Sequence, residues 1–211
     1  MAGDLLSTIR ANTYERAGIT DDDPKFTAST MSTLINSALR QVSADFDPWW
    51  LLASGTISVV ASTVASPTYY LTSTLTRFRK IQRITDDEGF DLQAVGKREL
   101  GRHARNLGKP NVYLVEEGYM KLAPISTATY TYAVHYYQNE IPLSSDNDQP
   151  ALPVEYTDFL VCRAAKLAAI KNRDFEMVRH LDDEITDWKD RIADDLRQMK
   201  ANPRIVLRDE G

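Results

Sequence analysis

Cysteine is nearly absent: Cys162 is the only one in 211 residues. That excludes an internal disulfide framework and any zinc site built from several cysteines. Histidine is scarce too, and His103, His135 and His180 lie far apart with no close-spaced ligand motif. No apolar run approaches the ~18 residues that suggest a membrane span. The opening stretch sets Asp4 and Arg10 around only two adjacent leucines, so it lacks the apolar core of a signal peptide. A basic excess is also missing. Lys and Arg total 25 against 30 Asp and Glu, a formal charge of −5, whereas a general nucleic-acid grip normally carries surplus positive charge. These absences lead to the expectation of a soluble, intracellularly made protein, one domain or one domain with a large insertion. What is present, 43% hydrophobic and 26% charged residues, suits a sizeable core rather than a disordered chain.

The two ends of the chain carry helical grammar. A first helix is expected over about Asp4–Ala17, with Asp4 accepting a free backbone N–H at its start and Gly18 closing it in the left-handed conformation, Ile19 packing back on Tyr14. Met31, Leu34, Ile35, Ala38, Leu39, Val42 and Phe46 fall at steps of three and four, a single helical stripe. Thr27, Ser29 or Thr30 can cap it, and Pro48 stops it. Trp49 and Trp50 follow, either a plug beneath the helix or an exposed interface anchor. A third helix enters between Pro150 and Pro153 and is apolar on most sides from Tyr156 to Ile170. After a break at 172–174, with Asp174 as a new cap, a fourth follows with Val178, Leu181, Ile185, Trp188, Ile192, Leu196 and Met199 as its stripe. Leu39, Phe46, Phe159, Leu167, Leu181 and Trp188 are the expected core.

Between them the grammar is that of short strands. Residues 80–85 and 90–95 flank Asp86-Asp87-Glu88-Gly89 as one expected hairpin, and 111–116 and 119–123 flank Glu117-Gly118 as another. Residues 97–106 read as a short helix. Residues 128–138 read as a long strand with Tyr130, Tyr132, Val134 and Tyr136 on one side, an aromatic face suited to sheet packing. The expected fold is therefore α+β: a four-helix bundle built from residues 1–50 and 150–200, an inserted antiparallel β domain over 51–149, and an extended C-terminal tail over 201–211.

Signals of chemistry are weak. Gly96 and Gly101 have phosphate-loop spacing, but Arg102 and His103 stand where Lys and Ser or Thr are required. Asp86, Asp87 and Glu88 read as a solvated turn rather than a metal cluster. Cys162, on an apolar helical face, reads as a small buried hydrophobe. No nucleophile elbow, zinc-protease helix or dinucleotide fingerprint occurs. The stretch 77–109 holds nine basic residues against five acids. It is the one place where a phosphate backbone or an acidic protein face would find a local positive bias, against the plainer reading of a mixed solvated surface.

Four pieces, in order, carry a family resemblance. They are the helix ending in Asp45-Phe46-Asp47-Pro48-Trp49-Trp50, the run 78–89 leading through 90–95 into 96–100, the run 109–124 followed by 132–138, and the run 152–169 that opens the third helix. Over about residues 3–200 the chain resembles the head–tail adaptor proteins of tailed bacteriophages. The resemblance implies a dodecameric ring in the virion that binds the portal protein above, extends the DNA channel, and offers a platform to a tail, nozzle or next connector protein below. It implies no catalysis, cofactor, metal or membrane, and genomic DNA that passes without specific binding. The alternative from another class is a DNA-binding virion or packaging factor using the basic 77–109 segment. A third is a hydrolase with an unrecognised carboxylate pair.

Beyond Pro203, which cannot continue a helix, Arg204, Ile205, Val206, Leu207 and Arg208 form a short β-prone stretch bracketed by positive charge. Adaptor C-termini of this kind reach into the portal, so the resemblance implies that these five residues are the portal-binding arm.

Overall fold

The computed structural model describes residues 4–62 and 68–201, with side chains through 198. The fold is α+β and divides into two compact units, one of the residues up to Trp50 and from Glu140 onward, the other Leu51–Asn139.

The first unit contains α1 (Leu6–Arg16), α2 (Ala28–Asp45), α5 (Thr157–Asn172) and α6 (Phe175–Ala201). Helix α1 starts two residues later than the sequence suggests, and Asp4 does not cap it. Leu5 is the N-cap residue and makes no side-chain bond. The free amides of Leu6 and Ser7 donate instead to the main-chain carbonyls of Asp148 and Asp146, at 2.9 and 3.2 Å. Main-chain acceptors from a distant loop satisfy the same orphan donors that a cap would. The far end closes as expected: Gly18 has φ +62 and the Ile19 N–H donates to the Tyr14 carbonyl at 3.0 Å, the six-to-one bond of a left-handed helix stop. Thr27 caps α2 through the Thr30 amide.

Helix α5 packs against α1, α2 and α6, which is why its apolar residues occur on nearly every side rather than in a stripe. Phe159, Leu160, Cys162, Ala164, Ala165 and Ala168 are wholly enclosed. The small residues let the neighbouring helices approach closely, and Met31, Ile35, Leu39 and Val42 of α2 complete the core with Leu181, Ile185 and Ile192 of α6. Of the expected core residues, Leu39, Phe159 and Leu181 are fully buried, while Phe46, Leu167 and Trp188 are partly buried around them. Between α5 and α6 the chain turns in one step. Arg173 takes φ +61 and the Asp174 carboxylate accepts the Met177 N–H at 3.0 Å, capping α6. The stretch 140–149, which composition alone assigns to the β region, is tied to the helices. Asn36 of α2 both donates to the Leu143 carbonyl and accepts from its N–H, each at 2.8 Å.

The second unit holds β1 (Leu52–Val59), β2 (Thr68–Tyr70), α3 (Leu71–Thr74), β3 (Phe78–Thr85), β4 (Gln93–Ala94), α4 (Lys97–His103), β5 (Val112–Glu116), β6 (Tyr119–Ala123) and β7 (Tyr130–Gln138). Three strands form one sheet in the order β1-β7-β3 and four form another in the order β2-β6-β5-β4. Central strand β7 turns Tyr132, Val134 and Tyr136 inward, as its alternation predicts. They meet Ile57, Val59 and Ile84 from their own sheet and Tyr113, Met120 and Leu122 from the other. The buried Tyr132 hydroxyl donates to the Pro110 carbonyl at 2.9 Å, so its polar end is satisfied.

Of the two expected hairpins, one forms and one is corrected. The β5–β6 hairpin forms, with Glu117 at φ +47 and Gly118 at φ +84, the paired positive angles of a type I′ turn. The expected hairpin across 86–89 does not continue as a ladder. Beyond the turn only the Thr85–Asp91 bridge and the Leu92 amide bond back to Ile84 remain. β3 runs antiparallel to β7 instead, and Gln93–Ala94 crosses to the second sheet, where it pairs parallel with β5. The inserted β region is therefore mixed rather than wholly antiparallel.

Candidate interaction surfaces

No three His, Cys, Asp or Glu residues are grouped to hold a metal ion among the described residues. The surfaces of the two units therefore carry the functional argument.

In the helical unit α2 and α5 run antiparallel. The Phe46 ring just past the end of α2 meets Phe159 near the start of α5 at 6.2 Å, edge-on. The Lys171 ammonium at the end of α5 lies 5.4 Å from the Phe26 ring, just before α2. At the first end, Trp50 stacks at 5.5 Å on Tyr156 and reaches the core. Neighbouring Trp49 is 39% exposed, as is Val154. Trp50 thus fills the plug position, while its neighbour Trp49 is partly exposed. At the other end Ile170 and Phe175 are 47% and 66% exposed. Helix α5 has 16 residues, so at 1.5 Å per residue these two apolar ends stand roughly 24 Å apart.

Ion pairs fasten the flanks between the ends. Asp45, last in α2, accepts from Arg163 of α5 and from Lys189 of α6, the latter at 3.0 Å. Burial alone would raise the Asp45 carboxyl. Hydrogen bonds from Lys189 and Arg163, with the Arg163 charge, outweigh it and hold the group below the usual carboxylate range. Glu184 of α6 gathers Arg16 of α1 at 2.5 Å, the Cys162 thiol of α5 at 3.2 Å and His180 at 3.1 Å. Burial and the bond to Glu184 push the Cys162 thiol up to about 12, which favours the protonated form over the thiolate that a nucleophile needs. Arg16, His180 and Glu184 line an open groove of about 460 Å³ that also takes in Asn12, Asp158 and Met177.

In the second unit Asp87 and Glu88 of the 86–88 turn are solvated, as expected, and Asp86 is partly buried. Lys109 bridges Asp86, Asp87 and Glu88 at 2.8, 2.6 and 3.5 Å. Asp86 also accepts the amides of Glu88 and Phe90. Hydrogen bonds to Asp86 and Asp87 raise the Lys109 ammonium well above its ordinary value. The basic segment 77–109 is consequently divided. Arg77 donates to the Asn139 carbonyl and the Gln138 side chain, Arg79 lies over the Tyr137 ring, and Lys109 is neutralised. Lys97, Arg98 and Arg102 on α4, with Arg105 just beyond, remain exposed. Gly96 and Lys97–His103 form the N-cap and body of that short helix. Arg204, Ile205, Val206, Leu207 and Arg208, the expected arm, lie outside the described residues. Sequence reasoning missed the Glu184 and Lys109 clusters because their partners lie up to 168 residues apart.

No helix among the described residues is long and apolar enough to cross a membrane. No curated protein matches the chain. The model of the SU10 adaptor protein family matches residues 2–208, nearly the whole chain and both units. The chain therefore belongs to the SU10 adaptor protein family, in agreement with its resemblance to phage head–tail adaptors.

Proposed function

We propose that this protein is a structural subunit of the virion, placed at the head–tail interface, where twelve copies form a ring under the portal, extend the DNA channel and offer the platform for tail attachment. The observation that carries the reading is the family match over residues 2–208. The helical unit supports it, since it presents exposed apolar side chains at both ends of α5, the arrangement a part needs to be gripped from two directions. In this reading α1, α2, α5 and α6 act as a four-helix bundle, a rigid spacer held by a shared core. Assembly takes place in the host cytoplasm.

The tail is the portal arm. Ile205, Val206 and Leu207 enter a groove or add a strand to a sheet edge on the portal, while Arg204 and Arg208 meet acidic groups there. DNA passes without specific binding. The chain carries −5, and a ring of such chains repels phosphates rather than neutralising them. Internal partners take Arg77, Arg79 and Lys109 out of the 77–109 cations, and a DNA-gripping factor would be left with Lys97, Arg98, Arg102 and Arg105 about α4 as its exposed contacts. The reading includes no enzymatic activity and no cofactor.

A docking assay on the isolated portal ring tests the arm. A chain ending at Ala201 should keep its melting temperature within a few degrees and lose portal attachment. Docking of the shortened chain at the affinity of the full chain would assign the portal contact to the helical unit instead.

A further inference from the structure

Each sheet of the second unit ends in two edge strands, and three of these four edges are blunted. β2 and β4 have only three and two residues. β3 carries Arg79, Lys80 and Arg83, and its register with β7 shifts twice. Short strands, cations and bulges are the usual protections of an open edge. β1 has none of them. Its eight residues include no charge and no proline, and all eight stay in unbroken antiparallel register with β7. Among the described residues no strand is bonded to its outer side. A long, regular, uncharged edge is a template for another strand.

The side chains of β1 select which strand. Leu52, Ser54, Thr56 and Ser58 are exposed on its outer row, and Val60, next in the same alternation, is exposed too. The row has the same chemistry read in either direction, apolar at both ends and hydroxyl-bearing between. Laid antiparallel on a second β1 with Thr56 opposite Thr56, it sets Leu52 opposite Val60 and Ser54 opposite Ser58. The inner row matches as well, small against large, with Ala53 opposite Val59 and Gly55 opposite Ile57. Apolar and hydroxyl cross-strand pairs are favourable. The β3 edge lacks this property, since self-pairing centred on Ile81 would set Arg79 opposite Arg83, and like charges directly opposite are destabilising.

We propose that β1 is a docking edge for a second copy of this chain, and that two free subunits join through it, β1 antiparallel on β1. Two three-stranded sheets thereby become one continuous six-stranded sheet. Such a contact is two-fold and closes on a pair, whereas a ring is built from head-to-tail contacts. The pair therefore belongs to the free protein. It covers the unprotected edge and separates before a ring forms. The inference does not rest on the ring reading above. One strand pair makes a small interface, so the association depends on protein concentration.

Three measurements on the isolated full chain test the pairing. Sedimentation over rising protein concentration should pass from monomer to dimer and stop there. A monomer at every concentration would overturn the proposal. Thr56→Lys places like charges at the two-fold centre and should abolish the dimer, while the melting temperature of this exposed-site variant stays unchanged. An equimolar mixture of Thr56→Lys and Thr56→Glu should restore association. A dimer that survives Thr56→Lys would put the contact elsewhere and overturn the proposal. Cross-linking reads the register. On oxidation Thr56→Cys should give a disulfide-linked dimer and Ser54→Cys should not, because Ser54 lies opposite Ser58 and two such thiols are too far apart to bridge. The native Cys162 is wholly enclosed and does not interfere. Any other pattern would overturn the β1–β1 register. A chain that is monomeric when free yet seats a full ring on a portal rejects only this inference. A β1 pair that never joins a portal rejects only the adaptor reading.

Discussion

The carboxylate of Asp45, the last residue of α2, closes on the guanidinium of Arg163 in the first half of α5. Arg163 is almost fully buried and also lies 4.9 Å over the Phe159 ring. Asp45 is a third exposed and shares its charge with Lys189. The pair therefore ties three helices together at the rim of the core.

Asp45→Asn should cost about 3 kcal/mol at neutral pH, the low end for a broken buried pair because the carboxylate is partly solvated. The pH dependence has a definite sign. The folded-state pKa lies below its unfolded value of about 3.9. The stabilisation is therefore complete above about pH 4 and is lost as pH falls through the folded value. Melting curves from pH 7 to pH 2 should show the wild type and Asp45→Asn converging at the acid end. A constant difference across that range would show that the carboxylate charge is not the stabilising feature.

Phe159→Ala should cost about 3–5 kcal/mol, the range for removing a fully enclosed aromatic ring. The ring is bounded by Phe46 and Trp188 at 6.2 and 6.5 Å, on helices anchored elsewhere, so the space left behind cannot easily collapse. Chemical denaturation gives the number. An unchanged midpoint would mean that α5 does not organise the helical core.

Glu117→Asn should stabilise the second unit by roughly 0.5–1 kcal/mol. Glu117 holds φ +47 at the first central position of the β5–β6 turn, where an Asn-Gly pair is strongly preferred and Glu is not. Gly118→Val at the next position, φ +84, should destabilise by a similar or larger amount. Thermal melts of the two variants check the opposite signs together.

The helices were legible because their signals are local. Stripes at steps of three and four, Thr27 as a cap, Gly18 and Asp174 at the ends, and the alternating face of β7 all act within a turn or a strand. What the sequence hid was long-range. Nothing in residues 78–85 says that β3 lies beside β7, some fifty residues onward, rather than beside the stretch that follows its own turn. The amides at the start of α1 find acceptors in the 146–148 loop, which Asp4 cannot announce. The acids at 86–88 read as solvated, as Asp87 and Glu88 are, but nothing in their spacing announces Lys109, which the fold brings against all three. The candidate surface was half legible. The tryptophan pair at 49–50 signalled an anchor, but only the fold shows which indole faces outward, and the clusters at Glu184 and Asp45 join residues whose spacing carries no motif.

The adaptor reading is tested most directly by reconstituting the protein with an isolated twelvefold portal ring and counting subunits in the complex by native mass measurement or electron microscopy. Twelve copies seated as one ring on one face of the portal, coaxial with its channel, are predicted. Failure to associate with the portal, or association at scattered substoichiometric positions with no ring, would contradict it.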